Sequence, residues 1–361
     1  MPIILALLGV ALVALVLWDA LETIVLPRRV INRHRLTSLF YRLTWAPWSA
    51  IGRRLALKRA QENFLWLYGP LSVLMLLGVW AVGLLIGFAL IRNASTGGSL
   101  WHSVYLSAIT FFTVGVADTG PSTTLDRVLT VIEGGSGFSF LALVIGYLPT
   151  FYQGFSRREV TITLLDARAG SPPTTIELLR RHYQNGHFLD LNEFFPAWEQ
   201  WSAELLESHL SYPVLGFFRS QHENESWLAT LTLVLDASAL VAATFDGLLA
   251  HRANMAFAIA RHAAVDLSQV YNTAPHVVKS DRLLGIAIQQ MRELFGVDVP
   301  LSEAKLTEFR ALYEPYVFAL SEFLLMPLPN WTVEQSVRDN WQTTAWSEID
   351  GAIRYPHQNE E

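Results

Sequence analysis

The chain of 361 residues contains no cysteine. Disulfide frameworks, thiolate zinc sites and cysteine nucleophiles are therefore all excluded. No GxGxxG turn follows a strand pattern and no HExxH is present, so neither a dinucleotide-binding fold nor a zincin-type metal site is supported. The histidine pairs His251 with His262 and His182 with His187 lack the spacing for shared coordination. No Ser/His/Asp arrangement stands out, and the reading is not an enzyme. Acid is scarce in the first part: residues 1–156 hold 11 Lys/Arg and 6 Asp/Glu, whereas residues 157–361 hold 15 and 26. The acidic balance of the remainder argues against nucleic acid, whose backbone needs a basic patch.

Long apolar runs are what the sequence has in place of these features. Ile3 to Trp18 is unbroken, and helix continues plausibly to Leu26 before Pro27. A cleaved leader would want basic residues ahead of the run and small residues behind it, but Pro2 precedes it and Trp18, Asp19 and Glu22 follow. A retained spanning helix is expected. Phe64 to Ile91 is nearly charge-free, with Gly69 and Pro70 tolerable in lipid. Leu125 to Tyr152 is apolar over its later part. Three spanning helices follow. Arg28, Arg29, Arg33, Arg35, Arg42, Arg53, Arg54, Lys58 and Arg59 crowd the first connection, which places it in the cytoplasm and the amino terminus outside. The third helix then returns to the cytoplasm at Arg157 and Arg158.

Between the second and third spans, Trp101 to Phe112 (WHSVYLSAITFF) is apolar and aromatic but only 12 residues long. As a helix it cannot cross a hydrocarbon layer of about 30 Å, so it must re-enter or lie at the interface. Thr113, Val114, Gly115, Val116, Ala117, Asp118 and then Pro121 follow it. A short helix aiming its carboxyl end into the membrane, followed by backbone able to turn carbonyls toward one axis, suits a dehydrating cation.

The run TFFTVGVAD resembles the pore signature of the potassium-channel family, specifically its prokaryotic two-helix-pore members, over about residues 64–152. The resemblance implies outer and inner pore helices at 64–91 and 125–152, a pore helix at 101–112 and a filter at 113–118. It makes Thr110 the pore-helix threonine, and Thr113, Val114, Gly115, Val116 and Ala117 the ion-binding filter residues for K+. Asp118 stands at the outer mouth, beside Thr110 as filter support. The family's aromatic after the first glycine is Val116 here, and its second glycine is Ala117, where an L-residue in a left-handed conformation costs about 1–2 kcal/mol. A homotetramer is implied, with no cofactor beyond the permeant ion. Gly134, Gly135 and Gly137 are hinge or packing candidates on the inner helix. Glu133, an ionisable residue at depth, is either a pore-modulating charge or an internally satisfied group.

Residues 157–361 read as an acidic cytoplasmic helical bundle, with helices at about 171–183, 190–209, 225–262, 280–295, 301–325 and 334–349. Trp227 to Phe245 is apolar enough to imitate a fourth span, but its flanking charges run against the orientation bias, so a buried central helix is preferred. The expected domains are an amino-terminal spanning helix at 1–26, a basic linker at 27–63, the pore domain at 64–156 and the cytoplasmic domain at 157–361. The fold class is an all-α membrane protein. The expected function is passive cation conduction. The alternatives are a nonselective cation pore and a membrane-anchored helical sensor or scaffold.

Overall fold

A computed structural model of the chain describes residues 2–24, 35–115, 123–220, 225–278, 280–296 and 299–333. Helix dominates throughout; among the described residues the only strands are two-residue pieces, β1 (Tyr183–Gln184) and β2 (His187–Phe188), paired antiparallel across Asn185 and Gly186. Both turn residues take the left-handed conformation (φ 51° and 85°), which such a tight hairpin requires. The chain divides into two units, Met1–Phe155 with Leu210–Phe218, and Ser156–His209 with Arg219–Glu361.

In the first unit, α1 (Pro2–Ile24) lies against α3 (Lys58–Thr96) through small residues. A Cβ on Gly9 would come 2.6 Å from the Gly87 carbonyl oxygen, and one on Gly83 would meet Val16 at 2.8 Å. Helices associate in lipid by this kind of close backbone approach. Asp19, near the end of α1, is buried. Its Oδ2 accepts from Trp80 Nε1 at 2.9 Å and from Thr37 Oγ1 at 2.6 Å, and its Oδ1 accepts from the Thr37 backbone N–H at 3.2 Å.

The stretch read as a basic linker holds a helix, α2 (Leu36–Arg54), packed on α3 through an aromatic cluster of Trp45, Trp48, Phe64, Tyr68 and Phe217. Sequence pattern missed it because its apolar residues face two ways. The outer and inner helices are also longer than the apolar runs that announced them. α3 extends from 64–91 to Lys58–Thr96 and stops where Gly97 turns left-handed (φ 67°). α5 extends from 125–152 to Thr124–Ala169, straight through Pro149, and stops at Gly170 (φ 86°).

The second unit is built around α8 (Trp227–Thr244), every residue of which except Ala229 is buried. Among the described residues four helices, α1, α3, α5 and α8, are long and apolar enough to cross a membrane. Since α8 is covered by protein on all sides, its apolarity reflects a core position, at roughly 1.5–3 kcal/mol per large aliphatic side chain. α9 (Gly247–Val270) and α11 (Glu303–Leu324) pack on it. The expected single helix over 225–262 is in fact two: the chain leaves helical geometry at Phe245 and Asp246 and re-enters at Gly247, whose φ is 75°. α6 (Thr175–His182), α7 (Leu191–Ser211) and α10 (Leu284–Phe295) complete the set. The helix expected at 334–349 lies outside the described residues.

Buried in the middle of α8, Asp236 receives both Arg282 Nη1 and Nη2 (2.6 and 2.8 Å) and the Tyr313 hydroxyl. Burial alone would lower the Arg282 pKa, but the Asp236 charge and its hydrogen bonds outweigh it and hold the guanidinium above its ordinary value. The bidentate geometry is what lets a charge pair survive in a core.

Candidate functional site

α4 (Leu100–Phe111) is 12 residues long, about 18 Å at the α-helical rise, and it sits in sequence between two helices of spanning length. Its buried face is Ser103, Ser107 and Phe111, one residue per turn; Ser103 accepts from Asn93 of α3 at 3.5 Å, and Phe111 meets Phe140 of α5. The carboxyl end closes in a paired arrangement: Val114 N–H donates to the Ile109 carbonyl at 2.9 Å and Thr113 N–H to the Thr110 carbonyl at 3.1 Å. This is a Schellman-type ending, whose left-handed position normally takes glycine. Here Thr113 occupies it with φ 53°. A β-branched residue is an outlier in that region, and such strain gathers at functional segments. Gly115 is left-handed again, with φ 75°.

The inner helix holds this ending in place through its glycines. A Cβ on Gly137 would lie 1.9 Å from the Phe111 carbonyl oxygen, so the α5 backbone contacts the end of α4 directly. A Cβ on Gly134 would meet the Thr110 methyl and carbonyl oxygen at 3.9 Å, ordinary van der Waals contact, and nothing lies within 4 Å of a Cβ on Gly135. The Thr110 hydroxyl donates back to the Leu106 carbonyl at 2.8 Å.

Beside α4 lies a buried charge network joining α3 to α5. Arg92 Nη1 binds Asp126, and Arg92 Nη2 donates to Glu133 Oε2 at 2.9 Å and to Thr130 Oγ1 at 3.3 Å. Arg92 and Glu133 are 3% and 1% exposed as side chains, so each charge depends on its partners: removal of one partner from such a pair costs about 3–5 kcal/mol. Glu133 thus has its charge matched within the chain. Sequence reasoning singled out Glu133 but missed Arg92 and Asp126. The available signal was that Arg92 is the one cation between Arg59 and Arg127 in the sequence, at the end of an apolar run, where an unpaired charge would be costly.

Of the expected filter residues, Thr113, Val114 and Gly115 follow α4 directly and are exposed in the single chain. Val116, Ala117 and Asp118 lie outside the described residues. The histidine pairs form no metal centre among the described residues. His182 bonds the Leu178 carbonyl through Nδ1 at 2.8 Å, an ordinary helix-internal contact.

Residues 73–153, which run from α3 through α4 into α5, match the family model described as "Ion channel". That stretch is thus similar to an ion channel, and it lies in an all-α, multi-pass membrane protein. The chain is also 24% identical over 177 residues to an uncharacterized membrane protein, YdjJ, of Bacillus subtilis, covering 46% of this chain and 51% of that protein. It thus spans about half the length of this curated relative. No solved structure matches the chain.

Proposed function

We propose that four copies of the chain surround one axis and conduct K+ passively through a ring of backbone carbonyls contributed by Thr113, Val114, Gly115, Val116 and Ala117. The observation that carries this reading is a helix too short to span, set between two spanning helices, whose carboxyl end hands directly to left-handed Thr113 and Gly115. One chain supplies one wall of such a filter, and cyclic symmetry closes the ring. Thr110 supports the filter from the pore helix, and Asp118 carries charge at the outer mouth. Glu133 acts on the filter through Arg92 and the α4 contact, and Gly134 and Gly135 leave room for α5 to bend. The amino terminus lies outside, and residues 157–361 form the cytoplasmic domain that assembles or gates the pore.

A second reading, a nonselective cation pore, is favoured by Val116 and Ala117, since selectivity depends on the number and field strength of the carbonyl sites. Flux from liposomes carrying the purified chain separates the two. Potassium flux that is blocked by barium, unsupported by sodium, and lost in Thr113→Ala and Gly115→Ala establishes a potassium pore. Equal sodium flux establishes the nonselective pore, and absence of any flux overturns both.

A further inference from the structure

The hairpin of α2 and the amino-terminal third of α3 precedes residues 73–153, the stretch that matches the ion-channel model. At 39 residues, α3 is about 58 Å long, nearly twice the roughly 30 Å of a hydrocarbon core. It pairs with different helices along its length. α1 meets its carboxyl-terminal stretch, with Gly9 at Gly87, Val16 at Gly83 and Asp19 at Trp80. α2 meets the other end: Gly52 packs on Leu65, Trp48 stacks on Phe64 at 4.4 Å, and Thr44 bonds the Tyr68 hydroxyl at 2.9 Å. The junction is Asp19, which accepts from Thr37 of α2 and Trp80 of α3 together. Since α1 alone is long enough to span, the stretch of α3 paired with α2 reaches the membrane boundary.

The outer surface of this hairpin is of two kinds. Leu43, Ile51, Leu57 and Trp66 are turned outward, Leu43 64% and Leu57 73% exposed. Around the tip stand exposed Arg53, Arg54, Lys58 and Arg59, and no acidic residue occurs between Glu22 and Glu62. Water disfavours so much exposed aliphatic surface, while hydrocarbon disfavours the cations. The headgroup layer of an anionic membrane satisfies both, with apolar side chains entering the acyl boundary and cations at the phosphates. Tryptophan and tyrosine line the same hairpin, as they do other membrane interfaces.

We propose that the α2–α3 hairpin is an interfacial element that binds acidic phospholipid headgroups on the leaflet beside its basic tip, and that Thr44, Tyr68 and the Asp19 junction tie this contact to the outer pore helix. The proposal stands whether or not the pore conducts, because its measurement is lipid contact.

The absence of native cysteine makes the test direct. Leu43→Cys and Leu57→Cys chains carry an environment-sensitive fluorophore in bilayers of phosphatidylcholine with phosphatidylglycerol. They are challenged with brominated phosphatidylglycerol, brominated phosphatidylcholine or aqueous iodide. Gln200→Cys, exposed on α7, serves as a reference on another helix. The expected result is quenching at both hairpin positions by lipid, with the anionic lipid preferred several-fold. Arg54→Gln combined with Lys58→Gln should remove that several-fold preference, since a single cation near the surface is worth about fivefold. Both side chains are exposed, and an unchanged unfolding temperature shows that the double variant folds. Quenching by iodide alone would place the hairpin in water and overturn the proposal. Protection from both quenchers would mean that another copy covers it, and equal quenching by the two lipids would remove the headgroup specificity; either result also overturns it.

Discussion

Glu225 is held where a carboxylate is costly. It is buried, with no hydrogen-bond partner for Oε2. Burial first, and then the charges of Asp166 and Glu159, push its pKa from 4.5 up to about 7. The folded state therefore holds this proton more tightly than the unfolded chain does, so ionisation opposes folding. The penalty is absent below the unfolded value of 4.5, grows as pH rises, and is complete above about 7. Its upper size is about 3 kcal/mol. His209 works in the opposite direction: burial and then the nearby Arg158 hold its pKa well below 6.5, so acid below that value destabilises the fold. The informative quantity is accordingly a difference between chains. Glu225→Gln should unfold at a higher temperature than wild type at about pH 8 and at the same temperature near pH 4, below the unfolded value, because only the charged form is penalised. A constant offset across that range would show that the side chain's shape, rather than its charge, sets the effect.

At the scale of the element, α4 depends on the backbone of α5. Gly137→Ala puts a methyl 1.9 Å from the Phe111 carbonyl, and backbone on both sides cannot give way as a flexible side chain would. Separation of α4 from α5 should cost about 1–3 kcal/mol and reduce flux. Gly78→Ala on α3 is the matched control, since nothing lies within 4 Å of its Cβ and alanine favours helix by up to about 1 kcal/mol. Thermal unfolding of the two variants in one detergent checks the pair. Equal stability would show that the Gly137 contact is dispensable.

At the scale of the whole molecule, one chain presents bare apolar surface that lipid or other copies must cover. Val131, Phe138, Leu141 and Ile145 of α5 are all more than half exposed, on the helix that would line the pore, and Thr113 to Gly115 are exposed as well. Lipid can cover part of that surface. A pore requires that other copies cover the remainder. The expected mass of the purified protein, after subtraction of detergent, is four chains of 40.5 kDa each, measured by light scattering or native mass spectrometry. A stable monomer that still places its helices across liposomes would favour the membrane-anchored scaffold.

The linear chain was enough to define three spans, a helix too short to span between two of them, the TVG run after it, and the core position of α8. Each of these is written in local hydropathy, in length against bilayer thickness, or in flanking charge. Tertiary structure decided the rest. The lengths of α3 and α5 beyond their apolar runs depend on partners at the ends, where polar residues such as Gln61 bond the Gly52 carbonyl. α2 became legible as a helix only once α3 supplied the surface for Trp45 and Trp48. The pairing of Arg92 with Asp126 and Glu133, and of Asp236 with Arg282, joins residues 34 to 46 positions apart. Such pairs have no periodic signature, because what places the partners side by side is the packing of whole helices rather than the spacing of residues along any one of them.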